Sequence, residues 1–284
     1  MSVPIIKLND GNTIPQFGIT ISSQEKAEEI VKDALNAGIR HIHTSHDNKN
    51  EESIGKAVKQ SGIPRKDIFI TSELSISENG EEITSKAIDE MLKRFDMEYI
   101  DLLLIMVAYN DYVGAYKALE KAKNEGKVKS IGLHNFEDEY LDDILKNCKI
   151  QPAIDFVEAH PHNDQRELIQ KLQPYGTKIV TFTFPEIKEY LSKVEVFKKL
   201  ENKYKDCNFY DILCKWYIQK GFIVLEPDNL TNRKPLEISK LDLTNEEMDE
   251  IAAINQNKLY YTLSREARLE LARYSKNKIK KKNY

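Results

Sequence analysis

Short apolar runs alternate with longer amphipathic segments along the whole chain. Eight of the apolar runs read as strands, at 16–19, 41–44, 68–72, 100–105, 128–133, 153–157, 179–182 and 223–225. Between them, apolar positions spaced three and four apart read as helices at 23–37, 51–61, 81–95, 111–125, 138–147, 165–173, 194–204 and 208–219. A last helix is expected at 244–254, with Asn245-Glu246-Glu247 in its first turn. The first helix shows the pattern plainly: Ala27, Ile30, Val31, Ala34 and Leu35 form its buried stripe. Ser23 is expected to cap its start, and Gly38 to end it in the left-handed conformation. Leu102, Leu103, Leu104 and Ile105 are apolar without interruption, as in a strand buried on both faces. Ahead of the first run, Asp10-Gly11 between 5–9 and 13–15 reads as the turn of a β-hairpin.

Strands that alternate with helices pair in parallel, through right-handed crossovers. Eight such units predict closure into an α/β fold, a (β/α)₈ TIM barrel, with the N-terminal β-hairpin closing its bottom. No linker or low-complexity stretch interrupts residues 1–284, so one domain is expected, with a C-terminal tail from about 262 to 284. Function in such barrels sits at the C-terminal ends of the strands. That directs attention to 43–48, 73–77, 106–110, 134–136, 155–162, 182–186 and the residues from 226 onward.

Composition narrows the choice of partners. Hydrophobic residues make up 40% and charged residues 31%, which suits a chain with a sizeable core. The net charge of −4 argues against nucleic acid. Five lysines in 276–282 are the exception; they read as a solvated end, with a partner-binding tail as the alternative. Cys148, Cys207 and Cys214 are too few and too scattered for a disulfide framework, and none forms a CxxC pair. A reducing, cytoplasmic setting is therefore expected. Residues 1–10 lack the apolar run of a signal peptide, and no run reaches membrane-spanning length, so no membrane partner is expected.

The order of local motifs resembles the aldo-keto reductase family. Val3-Pro4-Ile5-Ile6-Lys7-Leu8-Asn9-Asp10-Gly11 with Ile14-Pro15 is similar to the family's opening hairpin. Similar stretches follow in order: Ala37-Gly38-Ile39-Arg40-His41-Ile42, Asn50-Glu51-Glu52-Ser53-Ile54-Gly55, Ser61-Gly62-Ile63-Pro64-Arg65 and Asp67-Ile68-Phe69-Ile70-Thr71. Tyr99-Ile100-Asp101-Leu102, Glu125-Gly126-Lys127-Val128, Asn135-Phe136, Val157-Glu158 with His160-Pro161, and Trp216-Tyr217-Ile218-Gln219-Lys220-Gly221 complete the set. The resemblance spans nearly the whole chain and implies NADPH-dependent reduction of aldehydes and ketones. In that chemistry a tyrosine protonates the carbonyl oxygen, an aspartate and a lysine lower its pKa, and a histidine orients the substrate.

The resemblance also places four departures. The aspartate position is His43, the tyrosine position Asn48, the lysine position Glu73 and the histidine position Met106. An asparagine amide donates a hydrogen bond but no proton at neutral pH, and a thioether is a weak acceptor. The cofactor positions depart too. The family's Pro-Lys-Ser segment after the eighth strand reads Leu225-Glu226-Pro227-Asp228-Asn229-Leu230, so Glu226 and Asp228 would repel the 2′-phosphate. Arg233 and Lys234 would compensate only in part, from a shifted register. The glutamine that holds the nicotinamide amide is Phe156, and the serine before Asn135 is His134. Asn135 itself and an aromatic at Phe182 are kept. The cofactor expectation is therefore none, or weak NADP(H).

Other readings of the same residues stay open. His43 and Glu73 reverse the polarity of an acid–base pair, either as drift that kept a compatible pair or as a new site. Five of the six histidines fall at strand ends (His43, His46, His134, His160 and His162), and Glu73, Asp47 and Asp155 are assigned to the same mouth. His43, Glu73, His134 and Asp155 are the candidate ligands if a metal binds, although no metal-binding motif supports one. Met106, Phe156, Phe182 and Phe184 make the mouth apolar, either as a filled pocket or as a cavity for an unknown small molecule or protein. Three functions follow: a homologue that has lost carbonyl reduction and binds or regulates, a divergent NADP(H)-dependent oxidoreductase, and new chemistry or metal binding at His43 and Glu73.

Overall fold

A computed structural model describes residues 4–184, 186–228 and 241–261. Strands β1 (Ile5–Lys7) and β2 (Thr13–Pro15) form an antiparallel hairpin. Eight parallel strands then close a barrel: β3 (Phe17–Thr20), β4 (His41–His43), β5 (Phe69–Glu73), β6 (Ile100–Met106), β7 (Val128–His134), β8 (Ile154–Phe156), β9 (Lys178–Phe182) and β10 (Ile223–Pro227). Each pairs with its neighbour in sequence, and β10 returns to β3. The helices are α1 (Ala27–Asn36), α2 (Glu51–Gln60), α3 (Glu81–Phe95), α4 (Tyr112–Asn124), α5 (Asp138–Asn147), α6 (Arg166–Leu172), α7 (Ile187–Leu191), α8 (Glu195–Lys203), α9 (Phe209–Gln219) and α10 (Asn245–Ala252). The expected (β/α)₈ barrel is the observed one.

Strand alternation sorts the apolar residues into two cores. Inside the barrel, Phe69, Leu102, Leu104, Ile154, Phe156, Val180, Ile223 and Leu225 pack together. Leu8 and Ile14 of the hairpin join that inner cluster. Asn9 and Asn12 tie the hairpin to the carbonyls of Pro152 and Lys129, near the N-terminal ends of β8 and β7. The hairpin therefore plugs the bottom. The alternate residues Ile70, Leu103, Ile105, Ile131, Leu133, Ile179 and Val224 face the helices in the larger outer cluster. Two buried faces explain why the strands read as continuous apolar runs.

Local signals behaved unevenly. Gly38 sits at φ +90°, and the amides of Gly38 and Ile39 bond back to Leu35 and Ala34, closing α1 as expected. Ser23 does not cap that helix. Its hydroxyl accepts from the Lys26 amide one turn earlier, and α1 begins only at Ala27. Thr244 does cap α10, in a reciprocal pair with Glu247. The short helix α7 had no periodic stretch long enough to announce it. Among the described residues, no helix is long and apolar enough to cross a membrane. Arg233, Lys234, Asn229, Leu230 and the tail from 262 lie outside the described residues.

Candidate functional site at the mouth of the barrel

Three strands deliver one polar cluster to the C-terminal mouth. His43 ends β4, Glu73 ends β5 and His134 ends β7. Glu73 Oε1 lies 2.8 Å from His43 Nε2, and Glu73 Oε2 lies 2.9 Å from His134 Nδ1. His43 Nδ1 continues the chain to Thr20 Oγ1 at 3.1 Å. The carboxylate thus bridges two imidazoles, with its side chain only 2% exposed. Burial alone would raise its pKa; the electrostatic attraction and hydrogen bonds of the His134 N–H, and then of the His43 N–H, outweigh that and hold it well below the usual carboxylate range. An ionised carboxylate only accepts hydrogen bonds. Both facing nitrogens, His43 Nε2 and His134 Nδ1, therefore carry protons.

One layer deeper, His41 is fully buried between Thr71 and the carbonyl of Pro15. Burial, and then the charge of His43, push its pKa down to about 3, against the effect of the Pro15 bond. His41 is a neutral core residue.

Aromatic rings cover the polar cluster. The His134 ring stacks on Phe156 at 4.5 Å and 16°. Phe156 also meets His43 edge-on at 5.4 Å and Phe182 at 5.9 Å. Phe182 continues to Phe184 and Tyr261. Tyr261 lies 3.9 Å from Phe184, ring centre to ring centre. Glu158 fixes this last residue: its carboxylate accepts from the amides of Tyr260 and Tyr261 and from His160 Nε2. Tyr260 and Tyr261 are thereby held across the β8 and β9 side of the mouth. Met106, the register partner of His134, is half-buried beside it.

Asn48 lies in a short 3₁₀ turn after β4. Its amide donates to the Ile21 carbonyl at 3.1 Å and to Thr44 Oγ1 at 3.3 Å. The side chain is therefore spent on the loop. Asn135 has φ +57° and donates its backbone N–H to the Phe156 carbonyl.

Three sequence expectations need correction. Glu226 does not face the mouth. The strand β10 runs on to Pro227, and Glu226 alternates with the inward Leu225, so it turns to α9 and accepts from Cys214 Sγ at 3.0 Å. Asp155 also leaves the mouth: its register partners Leu133 and Ile179 belong to the outer cluster. Of the five mouth histidines only His43 and His134 converge, on Glu73. His46 accepts from Arg94 and His162 pairs with Tyr260, while His160 serves Glu158. Among the described residues, no three His, Cys, Asp or Glu side chains are placed to hold a metal ion. Asp228 follows the end of β10, and its Oδ2 accepts from Ser22 N, Ser22 Oγ and Ser23 N, each at 2.9 Å. It ties the end of β10 to the loop after β3.

The sequence pairs Glu73 with His43 as acid and base and groups His134 with them only as a candidate metal ligand; nothing in it points to the Glu158 clamp or to Tyr261. Only the barrel's closure brings these residues together. Away from the mouth, a cleft of about 750 Å³ runs along Val58, Leu92 and Tyr99, and one of about 420 Å³ flanks the hairpin.

Comparison with known proteins agrees with this frame. A sequence model described as the aldo/keto reductase family matches residues 15–256. The chain is 32% identical over 259 residues to a glyoxal reductase of Bacillus subtilis, covering 89% of this chain and 93% of that protein. An aldo-keto reductase from a Medee basin deep-sea metagenome library superposes with a TM-score of 0.85 at 30% identity, covering 91% of this chain and 97% of that one. A Bombyx mori aldo-keto reductase in complex with NADP gives a TM-score of 0.84 at 26% identity, over 93% and 96% of the two chains.

Proposed function

The chain belongs to the aldo/keto reductase family, and we propose that this member has lost NADPH-dependent carbonyl reduction and acts as a binding or regulatory barrel. The observation that carries the proposal is the Glu73 bridge. Where the resemblance calls for a lysine that lowers a tyrosine pKa, an ionised carboxylate holds two imidazoles. Where it calls for the tyrosine, the Asn48 amide is bonded to Ile21 and Thr44. General acid catalysis is worth about 10²–10⁴-fold. Asn48 supplies no acid, and Met106 orients no carbonyl.

The residues at the cofactor positions do not fit a nicotinamide dinucleotide. Phe156 and His134 stack on each other where side-chain donors should hold the carboxamide. Tyr261 and Phe156 already meet the ring of Phe182. Asp228 puts a negative charge at the end of β10. No step is therefore assigned to a cofactor. A second reading, a divergent NADP(H)-dependent oxidoreductase, is favoured by the retained Asn135 and Phe182.

The two readings separate in a titration of NADPH followed by cofactor fluorescence. Loss of the site predicts no saturation at micromolar protein. A dissociation constant of about 10 μM or below, roughly −7 kcal/mol, contradicts it.

A further inference from the structure

We infer that the mouth is a binding site for small planar hydroxyl compounds of the phenol class, which donate their hydroxyl to His134 Nε2. The inference rests on the reading that this mouth no longer serves a nicotinamide. It begins from the tautomer. Glu73 Oε2 accepts from His134 Nδ1 at 2.9 Å. In the neutral ring the proton is thereby fixed on Nδ1, so Nε2 carries a lone pair. Stacking on Phe156 at 4.5 Å keeps the ring from turning over. His43 holds the other oxygen of the same carboxylate, which fixes Glu73 in turn.

Exposure gives the direction of approach. The Glu73 side chain is 2% exposed and that of His134 is 16%. A ligand therefore reaches the imidazole and not the carboxylate. Among the described residues, none bonds Nε2, whereas Nδ1 is fully engaged.

The surroundings select the chemistry. The His134 ring stacks on the buried Phe156, its strand neighbour is the partly exposed Met106, and Phe156 meets the partly exposed Phe182 edge-on, so the surroundings are apolar. A site with one acceptor and apolar walls favours an uncharged molecule with one donor and an apolar body. A phenol offers both, and its flat ring suits the edge-on aromatic row from Phe156 to Phe182 and Tyr261. A carboxylate has no proton to donate at neutral pH and would approach the buried negative charge of Glu73. An ammonium ion would be desolvated by the apolar walls without reaching that charge.

The test is equilibrium dialysis at neutral pH of meta-nitrophenol, which keeps its hydroxyl proton there, and of nitrobenzene against the purified protein, without cofactor. Saturable binding of one meta-nitrophenol per chain is expected. Nitrobenzene, the same ring without the hydroxyl, should bind about tenfold more weakly, roughly 1.4 kcal/mol. His134→Phe keeps an aromatic stack and should reduce meta-nitrophenol binding to the level of nitrobenzene. Glu73→Gln should weaken it as well, because an amide no longer dictates which nitrogen carries the proton. Absence of saturable binding overturns the inference, as does equal binding of the two probes by the unmodified protein. Neither result touches the loss of reduction, which is read from NADPH alone.

Discussion

At the scale of single residues, two buried ionisable groups govern the account, and they respond to pH differently. His41 has a folded pKa near 3, against about 6.5 when unfolded. Between those values the unfolded chain binds a proton that the folded chain refuses. Stability is then undiminished above pH 6.5 and falls as the pH drops below it, by up to about 1.4 kcal/mol per unit. Replacing His41 with glutamine removes that term. Urea unfolding between pH 7 and 4 should therefore show a shallower fall in His41→Gln than in the unmodified protein. Equal slopes would mean that His41 is not held neutral. Glu73 loses its contribution in the same direction, on acidification, but in a lower pH window. Its folded pKa lies below the usual value, so its contribution is present above about pH 4.5 and fades only under stronger acid. Deleting its carboxylate in Glu73→Ala leaves His43 and His134 without their acceptor, and a loss of about 3–5 kcal/mol is expected in the same unfolding measurement. The residue types of this cluster were readable in the sequence. Their pairing was readable only for His43 and Glu73, because His134 lies 61 positions from Glu73 and only the closed sheet joins them.

At the scale of elements, the pattern of the chain predicted types well and ends less well. The strands β6 and β7 are apolar runs with two buried faces, and the structure extends each by one residue, to Met106 and His134. That one residue matters, since both side chains belong to the mouth. In β10 the two-residue extension to Pro227 turns Glu226 away from it. Alternation is a period-two rule, so an error of one position at a strand end changes the face. Ser23 does not start α1, because its hydroxyl accepts from the Lys26 amide in a turn that precedes the helix, which begins at Ala27. Helix packing offers a sharper test. In α2, a Cβ on Gly55 would lie 2.0 Å from the backbone oxygen of Phe95, at the end of α3. Neither backbone can yield without moving a helix. Gly55→Ala should therefore cost about 1–3 kcal/mol, even though alanine is the better helix former. A thermal melt showing unchanged or raised stability would contradict this packing.

At the scale of the whole molecule, an aldo/keto reductase barrel carries the Glu73 bridge at its mouth. The barrel was legible from the order of its strands and motifs. The clamp was not, because nothing local to Tyr260 and Tyr261 shows that Glu158, about a hundred residues earlier, binds their amides. If the frame is intact and only the chemistry has gone, the site should be repairable as a unit. The changes are His43→Asp, Asn48→Tyr, Glu73→Lys and Met106→His, together with Glu226→Pro, Pro227→Lys and Asp228→Ser. Each alone should give no measurable carbonyl reduction, since groups that act together are strongly non-additive. The combined variant should show some. If it folds but stays inert, the Phe156–His134 stack and Tyr261 are the parts to rebuild, as a 1 Å misplacement can cost about 10²-fold. The most direct test of the central claim needs no variant. It is the rate of NADPH oxidation by the purified full-length protein with a simple aldehyde in excess. The account predicts a rate no higher than that of the enzyme-free blank. A clear turnover that disappears in Asn48→Ala or Glu73→Ala would contradict it.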